Sequence, residues 1–296
     1  MSHIIYEGDI YRPPSEGYSL LIQATVGCSY NKCAFCALYS KKKFRVRSRE
    51  EIFADLEAGR KLYKRVEKLF FCDGDALCLS TERLSELLDY SRSLFPECRQ
   101  ISVYGNARDV IVKGVEDLKL LAGKGLGIIY IGAESGSDRV LSAVNKGSSR
   151  DDMAKAIRMI EESGIKASVT FISGLGGREN MEEHARESGR LVSETAPSYF
   201  SLLTLILTPE MPLYSSAARA EFIPLSTGEV IRETEIFFEN ISLPDRLEYE
   251  SEPGRFRSPE CVFRSNHVSN ALVLKGTFPE DRERLLEMVR SAEKYF

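Results

Sequence analysis

The chain has 296 residues, of which 43 % are hydrophobic and 28 % charged, values typical of a soluble globular protein that can bury a full core. Its formal net charge of −4 argues against a dedicated binder of nucleic acid or anionic membrane. No apolar run approaches the ~20 residues of a membrane span, and residues 1–12 lack the apolar core of a signal peptide. Seven cysteines, three of them clustered, favour a reducing compartment over a disulfide framework, so we expect a cytoplasmic protein with no membrane contact.

Short apolar strands alternate with helical patterns along most of the chain. We predict six strands, at residues 19–26, 68–72, 100–105, 127–132, 166–173 and 199–207. Helices are predicted from Ser48 and at residues 81–94, 115–122, 137–146, 149–163 and 180–194, with capping boxes at Ser48 and Ser149. Strands separated by helices indicate a parallel sheet covered by helices, as an open sheet or a partial barrel. After residue 212 the alternation stops, and we predict helices at residues 227–240 and 279–295 around a loop-rich middle at 243–263.

Three cysteines, Cys28, Cys33 and Cys36, share one short loop directly after the first predicted strand. Three thiolates from one loop can hold three irons of a [4Fe–4S] cluster and leave the fourth iron open. On ligand spacing alone, a zinc ion with His267 or Cys261 as a distant fourth ligand is the alternative.

The run at residues 27–36 resembles the cluster loop of the radical SAM superfamily, whose open iron binds S-adenosylmethionine (SAM). Phe35, directly before Cys36, and the two residues between Cys33 and Cys36 match the family pattern. The first gap departs from it, because four residues follow Cys28 where three are common. The resemblance implies a [4Fe–4S] cluster and SAM as cofactors. It also implies one-electron cleavage of SAM to methionine and a 5′-deoxyadenosyl radical that abstracts a hydrogen atom.

Two later segments resemble the family in the same order along the chain. Gly74 and Asp75 stand at the turn that meets the SAM amino group in the family, although an Asp there, like Asp73, can simply cap the next helix. The stretch from Glu134 to Gly147 is similar to the family's GxESGSD…NRG segment. The resemblance implies that Glu134 faces the ribose hydroxyls, with a plain surface carboxylate as the alternative, and that Lys146 pairs with the SAM carboxylate.

A third segment, Thr170 to Gly177, matches the fifth-strand loop that packs near adenine in the family, with Gly176 in place of the usual Pro. The resemblance accordingly implies cofactor contacts at Thr170, Gly174 and Leu175, and also at Asn106 after the third strand.

The resemblance covers residues 18–215 and implies an α/β fold, a partial (β/α)6 barrel of the TIM type with the cluster at the carboxyl ends of the strands. Residues 1–17 are then an N-terminal lead-in. Residues 216–296 are a C-terminal α/loop extension, which we expect to cover the barrel mouth.

Three further side chains are candidate catalytic groups. Cys72 and Cys78 flank the Gly74 turn and can donate a hydrogen atom or form an adduct, with small core residues as the alternative. His267 lies in a dense polar run and can act as an acid or base in the substrate cavity, or belong to a loop that satisfies its own backbone. His184, on an amphipathic helix, is expected to be solvated.

We therefore predict a radical SAM enzyme that acts on a small or medium organic molecule and takes electrons from an external flavodoxin- or ferredoxin-type donor. One alternative is a tRNA- or peptide-modifying enzyme that holds its substrate with the basic run at residues 41–47, although a solvated surface is the commoner role of such a run. The other is a non-catalytic Fe–S or zinc-binding protein.

Overall fold

The computed structural model describes residues 3–243 and 260–295. Its strands are β1 Leu20–Gln23, β2 Thr25–Val26, β3 Arg45–Val46, β4 Lys68–Cys72, β5 Gln100–Gly105, β6 Leu126–Glu134, β7 Lys166–Ser173, β8 Tyr199–Thr204, β9 Cys261–Arg264 and β10 Lys275–Phe278. Its helices are α1 Arg49–Leu62, α2 Thr81–Leu94, α3 Ala107–Gly123, α4 Asp138–Ala143, α5 Arg150–Glu162, α6 Gly177–Thr195, α7 Pro212–Ala218, α8 Thr227–Glu239 and α9 Arg282–Glu293.

The main sheet has the order β1-β4-β5-β6-β7-β8-β9-β10. All neighbouring strands in it are parallel except β9 and β10, which form an antiparallel pair. The carboxyl ends of β1 and β4 to β9 therefore share one edge, where α/β sheets bind their ligands. This arrangement confirms the predicted α/β fold.

The two faces of the sheet are built from alternate residues of each strand. Phe71, Ile129 and Phe171 belong to the large core that the helices cover, which we call the outer face. Phe70 and Tyr130 belong to a smaller cluster on the opposite, inner face. A barrel-like sheet with helices on one side only leaves this inner face to line a site.

The N-terminal lead-in lies against the inner face. Ile10 packs on its aromatic cluster. The carboxylate of Glu16, which is fully buried, accepts hydrogen bonds from the hydroxyls of Tyr130 at 2.6 Å and Ser102 at 2.8 Å. Glu16 therefore anchors the lead-in inside the sheet before β1 begins.

Three local differences from the sequence prediction stand out. The first predicted strand is divided into β1 and β2, and β2 leaves the main sheet to pair with β3. Helix α3 begins at Ala107 instead of residue 115, with Gly114 at φ +76° interrupting its regular geometry. The extension predicted as helix and loop contributes strands β9 and β10 to the sheet, while α8 and α9 join the outer layer.

The loop at residues 265–274, between β9 and β10, lies at the carboxyl edge because β9 is parallel to β8. Much of the predicted loop-rich middle, residues 244–259, falls outside the described residues. Whether residues 216–296 cover the barrel mouth accordingly stays a prediction.

Candidate active site

The cysteine loop follows β2 and is tied to two neighbouring elements. The Ala34 N–H donates to the carbonyl of Val144 at 2.8 Å, and the Ala34 carbonyl accepts from the Leu213 N–H at 3.0 Å. Phe35 is buried in a small apolar cluster with Val144, Leu175 and Leu213. The aromatic residue that the sequence placed beside the third cysteine is thus the anchor of the loop.

The three thiols share one electrostatic neighbourhood and are all half-buried. Burial raises the pKa of Cys33 to about 12, Lys146 opposes the rise, and Cys36 and Cys28 add to it. Burial likewise raises the pKa of Cys36. Ligation to iron supplies the positive charge that such thiols need to ionise.

The chemistry of the donor set fits an iron–sulfur cluster. In a cubane cluster each thiolate binds a different iron, and Cys28, Cys33 and Cys36 supply three thiols from one loop. Within residues 3–243 and 260–295, no group of three His, Cys, Asp or Glu side chains has the arrangement of a site for a single metal ion.

The turn after β4 packs directly on the cysteine loop. The Gly74 N–H donates to the Gly27 carbonyl at 3.1 Å. A Cβ on Gly74 would lie 2.7 Å from Cβ of Cys28, so only glycine fits this approach. The closeness expected of Gly74 is present.

Asp73, beside Gly74, has a role that the sequence did not indicate. It is fully buried at φ +73°, and its carboxylate accepts from the Gly27 N–H at 2.7 Å and the Gln23 amide at 2.9 Å. The Lys42 ammonium lies 3.0 Å away. Asp73 therefore connects the β4 turn, the start of the cysteine loop and its exit. The helix-cap alternative is wrong for both aspartates: Asp75 stands at the N-cap of the short 3-10 helix Ala76–Cys78 but makes no side-chain capping bond, and Ser80 caps α2.

Asp75 is buried with one oxygen unsatisfied. Oδ2 accepts from the Ser29 hydroxyl, whereas Oδ1 has no partner. Burial and the nearby Asp109 carboxyl raise the pKa of Asp75 to about 7. Nδ2 of Asn106, a donor, and Oδ2 of Asp109 lie beside this carboxylate, are also buried and make no hydrogen bond of regular geometry. Unsatisfied buried acceptors are costly, so this pocket fits a cationic donor such as the SAM ammonium.

Asp109 escaped the sequence reasoning because the start of α3 was placed too late. Asn106 is the N-cap residue of α3 but makes no side-chain capping bond, which leaves its amide free for the pocket. The residue three positions after an N-cap points back toward the cap, and this spacing is the signal that would have identified Asp109.

Glu134 and Lys146 meet at the carboxyl end of β6. Lys146 Nζ lies 2.8 Å from Glu134 Oε1, and both side chains are nearly buried. Glu134 has φ +64°, next to a break in the β6–β7 register. A Cβ on Gly132 would lie only 1.9 Å from Glu134 Oε1 and 3.3 Å from Lys146 Nζ. The surface alternative for Glu134 is wrong, since it is 9 % exposed and its carboxylate fills the space over Gly132.

The loop after β7 carries the residues expected near adenine. Gly174 has φ +83°, and its N–H donates to Oε2 of Glu233 in α8 at 2.7 Å. Leu175 packs with Phe35, which joins this loop to the cysteine loop. Thr170 lies deeper, on the inner face, where its hydroxyl meets that of Ser201 at 3.2 Å.

A buried polar network supports these loops from behind. His184 is 3 % exposed, with its ring nitrogens 2.8 Å from the Ser135 hydroxyl and 3.1 Å from the Ile172 carbonyl. Burial lowers the pKa of His184 to about 4, and burial raises the pKa of Glu233 to about 8. The expectation that His184 is solvated is wrong, because its helical face packs on the sheet.

The catalytic candidates lie in different settings. Cys72 is fully buried on the inner face, and burial raises its pKa to about 12. Cys78 is half-buried, and burial together with Asp75 and Asp109 raises its pKa to about 12. His267 Nδ1 accepts from the Ser269 N–H at 3.1 Å, the self-satisfied loop that was one alternative. Catalytic roles for Cys72, Cys78 and His267 stay predictions.

The basic run at residues 41–47 is largely neutralised by internal partners. Lys42 pairs with Asp73. Arg45 pairs with Glu7 and Glu51. Arg47 is 2 % exposed and lies 2.6 Å from Asp55. Three of its cations thus hold the lead-in, α1 and the β4 turn together.

In the described part of the chain, no helix has both the length and the apolar character needed to cross a bilayer.

Comparisons with known proteins show which family the sequence matches. The family model of the radical SAM superfamily matches residues 22–187, more than half of the chain. An uncharacterized protein of Methanocaldococcus jannaschii, MJ0486, is 25 % identical over 281 residues, which cover 88 % of this chain and 85 % of that protein.

Two solved structures share the fold. Methylornithine synthase (PylB) has a TM-score of 0.54 at 17 % identity, over 92 % of this chain and 81 % of that one. The radical SAM methyltransferase TsrM from Kitasatospora setae, with cobalamin and a [4Fe–4S] cluster bound, has a TM-score of 0.52 at 18 % identity. That match covers 68 % of this chain but only 39 % of TsrM, so the chain spans less than half of its length.

The parallel sheet is the partial TIM-type barrel of this family. The cysteine loop, the β4 turn and the end of β6 all lie within the matched residues 22–187. The chain belongs to the radical SAM superfamily, and it is an enzyme whose cofactors are a [4Fe–4S] cluster and S-adenosylmethionine.

Proposed function

We propose that this enzyme abstracts a hydrogen atom from a small or medium organic substrate. When bound, the reduced cluster supplies one electron to the SAM sulfonium, which yields methionine and the 5′-deoxyadenosyl radical that takes the hydrogen atom. The observation that carries the proposal is the unpartnered Oδ1 of buried Asp75, one residue from the glycine that packs on Cys28.

The chain's own residues would bind SAM along the carboxyl edge of the sheet. Asp75 would accept from the ammonium, with Asn106 beside it. Glu134 and Lys146 neutralise each other without ligand and would exchange this contact for the ribose hydroxyls and the SAM carboxylate. Because each charged group would have a polar partner both before and after SAM binds, neither Glu134 nor Lys146 would need water as a partner.

Water exclusion would fall to the apolar cluster around Phe35. Leu175, Val144 and Leu213 bury this ring and belong to three different elements. A dry environment protects a reactive radical and also sets the potential of the cluster. We propose an external electron donor of the flavodoxin or ferredoxin type, because the cluster must be reduced for each cleavage.

The pairing of the basic run supports a small substrate over tRNA or a peptide. Lys42 and Arg47 make buried ion pairs within the chain, so they are not available for a phosphate backbone, and Arg45 is shared between Glu7 and Glu51. Membership of an enzyme family disfavours the non-catalytic alternative.

The test of SAM cleavage is direct. Anaerobically reconstituted protein is reduced and given SAM, and methionine and 5′-deoxyadenosine are measured. We expect both products from the wild type and a strong loss in Asp75→Ala, with Asp117→Ala as a control on the helix side of the same region. Absence of both products from cluster-loaded wild type would contradict the proposal.

The test of substrate class uses hydrogen transfer. Cells grown in deuterated medium are extracted, and the small molecules, RNA and proteins are separated. We expect deuterium in 5′-deoxyadenosine only with the small-molecule fraction. Deuterium transfer from the RNA or protein fraction alone would support the macromolecular alternative instead.

A further inference from the structure

A row of directly paired residues crosses the inner face from the SAM site to the far edge of the sheet. Gly132 in β6 pairs with Thr170 in β7, and Thr170 pairs with Ser201 in β8. Ser201 pairs with Arg264 in β9, and Arg264 pairs with Lys275 in β10. The row therefore runs from the Glu134–Lys146 contact to two cations.

Alternation along the strands fixes the side on which this row lies. Phe200, Phe263 and Phe278 belong to the helix-covered core of the outer face. Ser201 and Arg264 directly follow Phe200 and Phe263, so they point to the inner face. Lys275 is opposite Arg264 in the antiparallel pair and shares that face.

The two cations form an unfavourable pair in the protein alone. Like charges directly opposite each other in an antiparallel pair are destabilising. In the described residues, neither Arg264 nor Lys275 has a carboxylate within ion-pair distance. Arg264 donates one N–H to the Phe263 carbonyl at 2.7 Å. The side chains of Arg264 and Lys275 are both exposed.

Protection of the sheet edge accounts for only part of this pair. A lysine on an edge strand discourages sheet-to-sheet aggregation, and β10 is the edge in the described sheet. Arg264, however, lies one strand further in, where that role does not apply. By contrast, the exposed arginines Arg232 and Arg290 on the helical side are both paired with Glu235.

We infer that Arg264 and Lys275 bind an oxyanion of the substrate, a carboxylate or a phosphate, and so place its other end over Ser201 and Thr170 toward the SAM site. A guanidinium fork matches two oxygens of either group, and a neighbouring ammonium adds charge without demanding direction. The substrate is then a small organic acid or a phosphate ester. The position of its reacting end depends on the proposed hydrogen abstraction, whereas the anion site does not.

The span fits a molecule of modest size. Three strand spacings separate Gly132 from Arg264, about 14 Å along the sheet. A substrate that reaches from one to the other needs only a few carbon atoms beyond its anionic group, because the arginine side chain itself covers part of the distance. The hydroxyls of Thr170 and Ser201 supply hydrogen bonds along the way.

The test measures binding of two probes, inorganic phosphate and succinate, by calorimetry on cluster-loaded protein with SAM. We expect at least one probe to bind the wild type and to bind Arg264→Gln plus Lys275→Gln more than tenfold more weakly. The probe that binds more tightly distinguishes a phosphate from a carboxylate substrate. The matched control is Lys64→Gln plus Arg65→Gln, which removes the same charges from an exposed segment just before β4.

Two further measurements separate the possible failures. The urea midpoint of the double variant should equal or exceed that of the wild type, since a like-charge pair is removed. Its 5′-deoxyadenosine formation without substrate should be unchanged. No probe binding by the wild type, or equal binding by the variant, would overturn the anion site. Failure of wild-type SAM cleavage with normal probe binding would overturn only the proposed function.

Discussion

The two halves of the inner face differ in whether their charged side chains are buried or exposed. On the side of β1, β4 and β6, charged groups are buried, either in ion pairs, as in Asp73 with Lys42 and Glu134 with Lys146, or with one oxygen left unsatisfied, as in Asp75. On the side of β9 and β10, Arg264 and Lys275 are exposed and have no carboxylate partner in the described residues. We propose that the first half holds the cofactor and that the second half keeps its charge for the substrate.

The largest expected effect comes from replacing the metal ligands in the first half, which we call the cofactor half. Replacing Cys28, Cys33 or Cys36 individually by Ser removes one thiolate, so the cluster should be lost or labile and 5′-deoxyadenosine should fall below detection. Iron and sulfide content and the brown colour of the protein report the loss. Cys98→Ser is the control, because this buried thiol donates to the Gln100 carbonyl at the amino end of β5, on the opposite edge of the sheet, and its loss should leave the iron content unchanged. A cluster fully retained in a Cys33 variant would show that the loop is not the ligand set.

The next effect concerns the stability of the same half. Removing one partner of a buried ion pair leaves an uncompensated charge and costs about 3–5 kcal/mol. Asp73→Ala should therefore lower the free energy of unfolding by about that amount, measured by urea unfolding of matched samples. Asp73→Ala combined with Lys42→Met should cost less than the sum of the single changes.

The exposed pair of Arg45 and Glu7 provides the comparison. Both side chains are 40 % exposed, so solvent screens their attraction. Arg45→Gln should cost less than about 1 kcal/mol. Equal losses for Asp73→Ala and Arg45→Gln would show that burial does not strengthen the ion pair of Asp73 and Lys42.

A smaller effect tests the buried network that joins the extension to the β7 loop. Glu233 has a pKa raised from 4.5 to about 8 by burial, so the folded protein keeps a proton that the unfolded chain loses. Its stability contribution is therefore present below pH 4.5 and is lost as the pH rises toward 8. Glu233→Gln keeps an acceptor for the Gly174 N–H but does not titrate. Its stability relative to the wild type should rise by about 1.4 kcal/mol per pH unit across that window.

The result that would contradict this prediction depends on the charge of Glu233 beside His184. Its Nε2 lies 4.0 Å from Glu233 Oε1, and its own pKa is lowered to about 4 by burial. If Glu233 were instead ionised beside this neutral ring, it would hold no more protons in the folded protein than in the unfolded chain, and the difference between Glu233→Gln and the wild type would not rise with pH. Urea midpoints of both proteins between pH 5 and 8 separate the two cases, and Glu239→Gln on the exposed part of α8 serves as control.

The sequence predicted the strands and caps of the cofactor half well because their signals are local. A cysteine spacing, a glycine at a tight turn and a capping box each depend on a few neighbouring residues, and β4, β5 and β7 have the predicted bounds. The network of Glu233 and His184 was missed because it joins residues far apart in the chain. Arg264 and Lys275 become neighbours only through the register of β9 and β10, two strands that the sequence did not predict.

A change at Gly132, which lies under Glu134 and Lys146, tests whether these two side chains bind SAM or the substrate. Gly132→Ala would place a Cβ 1.9 Å from Glu134 Oε1, so this carboxylate must move away from the site. We expect the KM for SAM to rise about tenfold, equivalent to about 1.4 kcal/mol, with the cluster retained. Gly127→Ala on the same strand is the matched control, since its nearest neighbour would be 3.7 Å away. If Gly132→Ala left SAM binding intact but weakened phosphate or succinate binding, Glu134 and Lys146 would contact the substrate and not SAM.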